Sequence, residues 1–352
     1  MHPPIRVAII GYGYASKTFH APLIASVPGL ELRAIGSSDA AKVAADWPGV
    51  AVESTPAALL ARSDIDLVVV PTPNDTHFAL AQAALRAGKH VVVDKPFTLT
   101  LAEAQQLNAL AAAQRRLLSV FHNRRWDGGF LTVRELLASG RLGRAVHAEL
   151  HFDRFRPAVR ARWREQAGAG SGLWADLGAH LVDQTLQLFG RPRAITLDLV
   201  MQRDGAQTDD GFHARLRYAG GLRVILHATA LAAVPGASFT LHGTRGSFVK
   251  TGLDPQEEAL KAGQRPDGRA AWTLPAEHAL LVLQDVEAPD KLVTEQVPVL
   301  PGRYVDYYAA VRDAVLDRGP NPVPGAEAAA VMALLELGAA SHQARRELEL
   351  PA

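Results

Sequence analysis

A lysine and a histidine–carboxylate pair are the residues whose types and spacing could move a proton. Lys95 stands in HVVVDKPF, residues 90–97, directly after the valine run and Asp94 and directly before Pro96. Three consecutive valines fit a strand covered on both faces of a parallel sheet, and ligands gather at the carboxyl ends of such strands. Pro96 imposes an extended or turned backbone on Lys95 and ends the strand there. An ammonium at that position can hydrogen-bond a substrate oxygen; it reads equally as a surface lysine at a strand end. Farther on, in WADLGAHLVD, Asp176 and His180 are four apart, so a helix sets them on one face, with Asp183 a further turn along. A carboxylate neighbour can move a histidine's pKa across neutrality, which suits a general base. Spacing alone also describes an i,i+4 surface pair.

A nucleotide site is predicted at the amino-terminal end. The run Gly11-Tyr12-Gly13-Tyr14-Ala15-Ser16 follows an apolar strand and opens a helix. Gly11 permits the tight turn, and Gly13 lets backbone approach a pyrophosphate held by the helix N-terminus. Ser16 takes the third fingerprint position and is small enough for close helix–strand packing. At the end of the second strand an acid would bond a ribose 2′-hydroxyl, whereas a 2′-phosphate wants hydroxyls and cations. Here stand Ser37 and Ser38, with Asp39 late and Lys42 one turn on, so NADP is favoured and NAD is possible. The same residues also read as a Ser-Ser-Asp helix cap. The loop PTPNDTH, residues 71–77, lies at another strand end, where Thr72, Asn74 and His77 could face the cofactor. Asn74 or Asp75 could instead cap the next helix.

The elements that must position these groups are legible from periodicity. IRVAII (5–10), ELRAIG (31–36), DLVVV (66–70), VVV (91–93) and LLSVFH (117–122) alternate with helical stretches, the pattern of a doubly wound parallel sheet. This first domain is predicted to close at residue 121. Residues 122–352 form a second, α+β domain with a large, mostly antiparallel open sheet. Its strands are AVHAELHF (145–152), ITLDLVMQ (195–202), FHARLRY (212–218), LRVILHAT (222–229) and SFTLHGT (238–244), with Gly220-Gly221 as a hairpin turn. A helix is predicted over 127–139 and another over 174–189. Residues 250–300 read as long loops, and closing helices near 303–317 and 325–343 are expected to brace the first domain.

Composition narrows the function classes. The 352 residues suffice for two domains, and a net charge of +1 gives no reason to expect nucleic acid or an anionic membrane as partner. With no cysteine, disulfides, thiolate zinc sites and cysteine nucleophiles are excluded. The first strand starts too early for a signal peptide, and no apolar run suggests a spanning helix, so a cytoplasmic protein is expected. The 13 histidines show no convincing ligand spacing and no metal is expected; His147 and His151 are four apart, but on a strand.

With these three signals in one chain, the sequence resembles the family of glucose–fructose oxidoreductases and inositol dehydrogenases over essentially its whole length. The family's Glu-Lys-Pro appears as Asp94-Lys95-Pro96, one methylene shorter at the acid, and its Asp-x-x-x-His as Asp176 and His180. Within the family, GYGYASKTFHAPL, PTPNDTH, SVFHNRRWD and RWREQ look most like NADP-dependent scyllo-inositol dehydrogenases. The resemblance implies a Rossmann domain and hydride transfer between nicotinamide and a secondary alcohol or ketone of a cyclic polyol or sugar. It implies catalytic roles for Lys95, His180 and Asp176, and cofactor contacts from Gly11, Gly13, Tyr14, Ala15, Ser16, Ser37, Ser38, Lys42, Thr72, Asn74, His77, Asp94 and Lys95. Substrate contacts are implied for Asn123, Asp153, Arg154, Arg156, Trp163 and Tyr308, beside Asp176 and His180. A homodimer or homotetramer is expected. The alternatives are a dinucleotide-sensing regulator without chemistry and a reductase of another carbonyl or a linear tetrapyrrole.

Overall fold

The computed structural model describes residues 3–266 and 274–351, which pack as two compact units. The first comprises residues up to Trp126 together with segments 255–274 and 303–332; the second comprises 127–254, 275–302 and the remainder. The chain thus passes repeatedly from one unit to the other, and a single division at residue 121 is not how the contacts group.

In the first unit, β1 (Ile5–Ile10), β2 (Leu30–Gly36), β3 (Ala51–Glu53), β4 (Leu67–Val70), β5 (His90–Asp94) and β6 (Leu118–Phe121) form one sheet in the order β3-β2-β1-β4-β5-β6. Every pairing is parallel. The order reverses between β1 and β4, so the loops after these strands open the crevice where such sheets bind ligands. Val7, Ile9, Val68, Val69 and Val91 to Val93 are fully enclosed, which explains why β1, β4 and β5 read as continuous apolar runs. β3 escaped the sequence reading because it has only three residues, none of them buried. The helix Val305–Val315 belongs to this unit: the Tyr307 hydroxyl donates to Ser119 Oγ on β6 at 2.9 Å.

In the second unit nine strands form a sheet in the order β14-β13-β12-β11-β7-β10-β9-β8-β15. They are β7 (Ala145–His151), β8 (Ala194–Val200), β9 (Gly211–Arg217), β10 (Arg223–Thr229), β11 (Ala237–Gly243), β12 (Gly246–Thr251), β13 (His278–Gln284), β14 (Leu292–Pro298) and β15 (Leu348–Glu349). Only the β7–β10 pairing is parallel among the described residues. Alternation sorts the side chains. Ala148, Leu150, Leu216, Val224 and Leu226 are enclosed on one face. His147, Glu149, His151, His213 and His227 carry the other. Residues 250–300 are not the long loops expected: they hold a helix, Gln256–Lys261, and the hairpin of β13 and β14. β14 is an edge strand with mostly exposed side chains, so its apolar pattern is weak. No helix among the described residues is long and apolar enough to cross a membrane.

Candidate active site

The nucleotide end takes shape from the turn after β1. Gly11 adopts φ +91°, a conformation that strains any other residue, and a Cβ there would lie 3.3 Å from Thr72 Cγ2. Ser16 is buried and its hydroxyl donates to the Gly11 carbonyl at 2.7 Å, so the third fingerprint residue ties the turn rather than facing a ligand. Ala15 caps a π-helical turn, Ser16–His20, that runs on into the helix Ala21–Ala25; single π turns recur at functional sites. Tyr14 is exposed, its hydroxyl 3.1 Å from Glu257 Oε1.

A cavity of about 430 Å³ opens beside this turn, lined among others by Gly11, Ser37, Ser38, Lys42, Thr72 and Pro73. That volume suits a small-molecule site. Asp39 accepts the Lys42 backbone N–H at 2.9 Å and caps the helix Ala40–Asp46. The Lys42 ammonium donates to the Tyr12 carbonyl at 3.3 Å, which holds it at the cavity wall. Gly13 gives the test of fit for a dinucleotide: a Cβ added to it meets nothing within 4 Å, so the protein's own packing does not demand glycine there. A pyrophosphate approaching the backbone would demand it. Gly13→Val should therefore leave the thermal melt unchanged yet weaken NADPH binding by roughly tenfold or more, the loss of one charge-assisted hydrogen bond. Calorimetric titration beside a melting curve checks both halves.

The strand-end loops meet around His77. It is buried, with Nδ1 2.9 Å from the Pro96 carbonyl and Nε2 2.9 Å from that of Thr72. His77 thus clamps the loops after β4 and β5 together instead of reaching a ligand. Burial pulls its pKa down, and Asp94 and the carbonyls pull the other way. Asn74, also buried, heads the turn Asn74–Thr76. Lys95 follows β5, joined to Pro96 by a cis peptide bond, and its N–H donates to Asp94 Oδ1 at 2.7 Å. Burial raises the Asp94 carboxyl, but His20, Lys95 and His77 outweigh that and bring it down to about 2. Asp94 therefore stays ionised at neutral pH. His20 reaches Asp94 with Nε2 at 3.7 Å and accepts or donates at Nδ1 to the Tyr308 hydroxyl at 2.6 Å. Tyr308 is fully enclosed in this cluster, so its expected substrate contact is replaced by a supporting role behind Asp94. Asn123 is buried at the head of the turn Asn123–Trp126 that follows β6.

In the second unit the helix expected over 174–189 begins as a π-helical turn, Trp174–Gly178, and continues as the α-helix Ala179–Phe189. Asp176 lies in the π turn and His180 in the first α turn. The Asp176 carboxylate is 3.6 Å from Arg164 Nε. His180 is buried and its ring stacks on Phe152 at 6.5 Å, and the Arg154 guanidinium lies over the same phenyl at 4.5 Å. Trp163 lies under the Arg164 guanidinium at 4.3 Å. Arg154, Arg156, Arg164 and Asp176 share the lining of one cavity. Asp153 does not join them. It points to the opposite face of the sheet, 3.6 Å from both His151 and His227, as the alternation His147, Glu149, His151 continued by two residues requires. That parity was available in the sequence.

Residues not foreseen complete this region. Arg203 bonds Glu165 at 2.9 Å and Asp210 at 3.0 Å, and it also donates to the Arg156 and Ala158 carbonyls at 3.2 and 3.3 Å. Asp209 accepts the Trp174 N–H at 2.7 Å and fixes the start of the π turn; burial raises its pKa. Glu165 lies 38 residues from Arg203 and Trp174 lies 35 from Asp209, separations that hid these partners. Among the described residues no cluster could hold a metal ion.

Comparison with known proteins places this architecture. Residues 5–122 match the model of the GFO/IDH/MocA oxidoreductase family's NAD-binding Rossmann fold, and residues 130–249 match a GFO/IDH/MocA C-terminal domain. The chain is 57% identical to the uncharacterized oxidoreductase YdgJ of Escherichia coli, over 99% of each chain. It is 36% identical to scyllo-inositol 2-dehydrogenase (NADP(+)) IolW of Bacillus subtilis, over 98% of this chain and 96% of the relative. A solved structure of the oxidoreductase YPO2259 from Yersinia pestis superposes with a TM-score of 0.95 at 54% identity, covering 100% of this chain and 99% of that one. With both of its domains matched and relatives aligned over nearly its whole length, the chain belongs to the GFO/IDH/MocA family of NAD(P)-binding oxidoreductases.

Proposed function

We propose that the chain is an NADP-dependent dehydrogenase acting on a secondary alcohol of a cyclic polyol or sugar, with scyllo-inositol and its ketone as the reference pair. The observation that carries the cofactor choice is the end of β2: two serines and Lys42 line the cavity where an acid would select NAD, and Asp39 is engaged as a helix cap. The relative named as an NADP(+)-dependent scyllo-inositol 2-dehydrogenase supports both the cofactor and the substrate. Ser37→Asp should lower NADPH affinity by at least about tenfold relative to NADH, because a carboxylate would face the 2′-phosphate. Titration of both reduced cofactors measures the ratio.

Bound NADP supplies the hydride acceptor. His180 takes the proton of the reacting hydroxyl as the carbinol C–H bond breaks, and returns it in ketone reduction. Lys95 donates a hydrogen bond to the same oxygen and stabilises its developing negative charge. Asp94, held ionised, keeps the ammonium in place through the local backbone, while Asp176 orients His180 or takes an adjacent hydroxyl. Asn123, Arg154 and Arg156 contact the rest of the substrate. Neutral polyol hydroxyls and polar side chains of this kind discriminate strongly, because an analogue lacking a hydroxyl leaves buried groups unmatched.

The functional test is loss of NADPH absorbance with a panel of inososes, ketosugars and linear tetrapyrroles. Turnover with the first two groups is expected; turnover with the tetrapyrroles alone would contradict the proposal. Assembly as a homodimer or homotetramer goes with it, since broad antiparallel sheets commonly pair face to face. Sedimentation at micromolar concentration giving only monomer would oppose that part.

A further inference from the structure

Behind Lys95 lies a buried polar chain, Tyr308 and His20 against Asp94, that the proposed chemistry leaves unassigned. His20 ends the π-helical turn Ser16–His20, next to the glycine turn, and its side chain is fully enclosed. The ring packs on Phe121 at 4.4 Å, the residue opposite Asp94 where β5 pairs with β6, and stands edge-on to Tyr308 at 6.1 Å. In this apolar box two polar groups meet the imidazole. The Tyr308 hydroxyl is 2.6 Å from Nδ1, and the Asp94 carboxylate is 3.7 Å from Nε2.

Hydrogen-bond accounting places the protons. Burial pushes the Tyr308 hydroxyl well above the ordinary phenol range, so it keeps its hydrogen. Among the described residues its one hydrogen-bond partner is His20, so the O–H donates to Nδ1; the reverse arrangement would leave that buried donor unsatisfied. An imidazole that accepts at Nδ1 carries its hydrogen on Nε2, the nitrogen beside Asp94. At 3.7 Å the contact is too long for a direct hydrogen bond, so the N–H acts on the carboxylate as a dipole. Asp94 Oδ1 accepts the Lys95 N–H at 2.7 Å, which leaves the carboxylate between the imidazole and the lysine's backbone. The other titratable groups facing Asp94 are His77, Lys95 itself and Tyr307. His77 has both ring nitrogens on backbone carbonyls, and Tyr307 donates to Ser119.

We infer that His20, oriented by Tyr308, is a positioning residue for Lys95: it steadies the Asp94 carboxylate that holds the lysine's backbone. This rests on the dehydrogenase reading above and on the role given there to Lys95. Without the imidazole, burial dominates at Asp94 and raises its carboxyl. A carboxyl held low stays ionised through mildly acidic pH. One released from His20 takes up its proton on the acid side of neutrality, and its grip on the Lys95 N–H weakens.

The test follows reduction of scyllo-inosose by the full-length protein with NADPH, the direction in which His180 acts as an acid and falling pH leaves it competent. His20→Leu should lower kcat by roughly ten- to a hundredfold, the cost of a misplaced catalytic group, with KM and NADPH affinity within about twofold of the parent. Its rate should also fall between about pH 7 and about pH 5, where the parent's stays level. His20→Gln keeps an N–H near the position of Nε2 and should recover part of both. Tyr308→Phe removes only the hydroxyl and reads the same chain if His20→Leu melts early; it should lower kcat by about two- to tenfold. Combined with His20→Leu it should add nothing further. Nitrogen-15 shifts of labelled histidine read the chain without turnover. The His20 signal, identified by its loss in His20→Gln, should show hydrogen on Nε2 and none on Nδ1. Parent-like kcat and pH profile in folded His20→Leu and Tyr308→Phe, losses that add in the double variant, or a loss confined to NADPH binding overturn the positioning role. The opposite tautomer overturns the chain itself. No turnover by the parent on any inosose or ketosugar, with His20 in the stated tautomer, fails the dehydrogenase reading and leaves the chain standing.

Discussion

His180→Ala should lower kcat by about a hundred- to ten-thousand-fold while NADPH binds as tightly as before. A positioned general base is worth about that much, and His180 belongs to the helix Ala179–Phe189, whereas the cavity beside the glycine turn is lined by the first unit's loops. Lys95→Ala should produce a loss of similar size through the developing charge on the substrate oxygen, since removing one such donor costs about a hundred- to a thousand-fold. Lys95→Arg restores charge without the compact ammonium and should recover little. Steady-state kinetics on scyllo-inosose with NADPH, alongside fluorescence titration of NADPH, separates the two effects. Near-normal kcat in either alanine variant would remove that residue from the chemistry.

Arg203→Met carries the largest expected effect on stability. Its side chain and those of Glu165 and Asp210 are each less than a tenth exposed. Glu165 keeps Arg162 and the Arg160 N–H, and Asp210 keeps the N–H groups of Gln202 and residue 203, yet both carboxylates lose their shared cation. Breaking a buried pair by removing one partner costs about 3–5 kcal/mol, because a charge is left uncompensated in a poor solvent. The melting temperature should fall by roughly 10 °C. The same guanidinium holds the Arg156 and Ala158 carbonyls, so the variant should also raise KM, measured at a temperature where it is fully folded. A melt within about 2 °C of the parent would show that the network is stabilising in geometry only.

Strands enclosed on both faces were legible because nothing polar interrupts them: IRVAII, LVVV and HVVV appear in the sheet almost as the sequence draws them. The five alternating strands from 145 to 244 were equally plain, since one polar face leaves a period of two. Elements with little burial left no such trace; β3 has no buried residue, and β14 runs along the exposed edge. The glycine turn, Lys95 and the Asp176–His180 spacing were visible because each is local in sequence. Arg203 and Glu165 meet across 38 residues, and the Tyr308–His20 contact spans 288, so no pattern of spacing could have joined them. Tyr308 was placed on the substrate by resemblance alone, and its burial returns it to the scaffold. The π turns at Ser16–His20 and Trp174–Gly178 were not legible either, because a widened turn keeps the same apolar residues inward.

Transfer of label tests the central claim most directly. Protein incubated with NADP and scyllo-inositol deuterated at its ring carbons should yield reduced cofactor carrying one deuterium at nicotinamide C4, with none released to solvent. Unlabelled reduced cofactor, or no reduced cofactor at all from labelled inositols and sugars, would contradict the assignment.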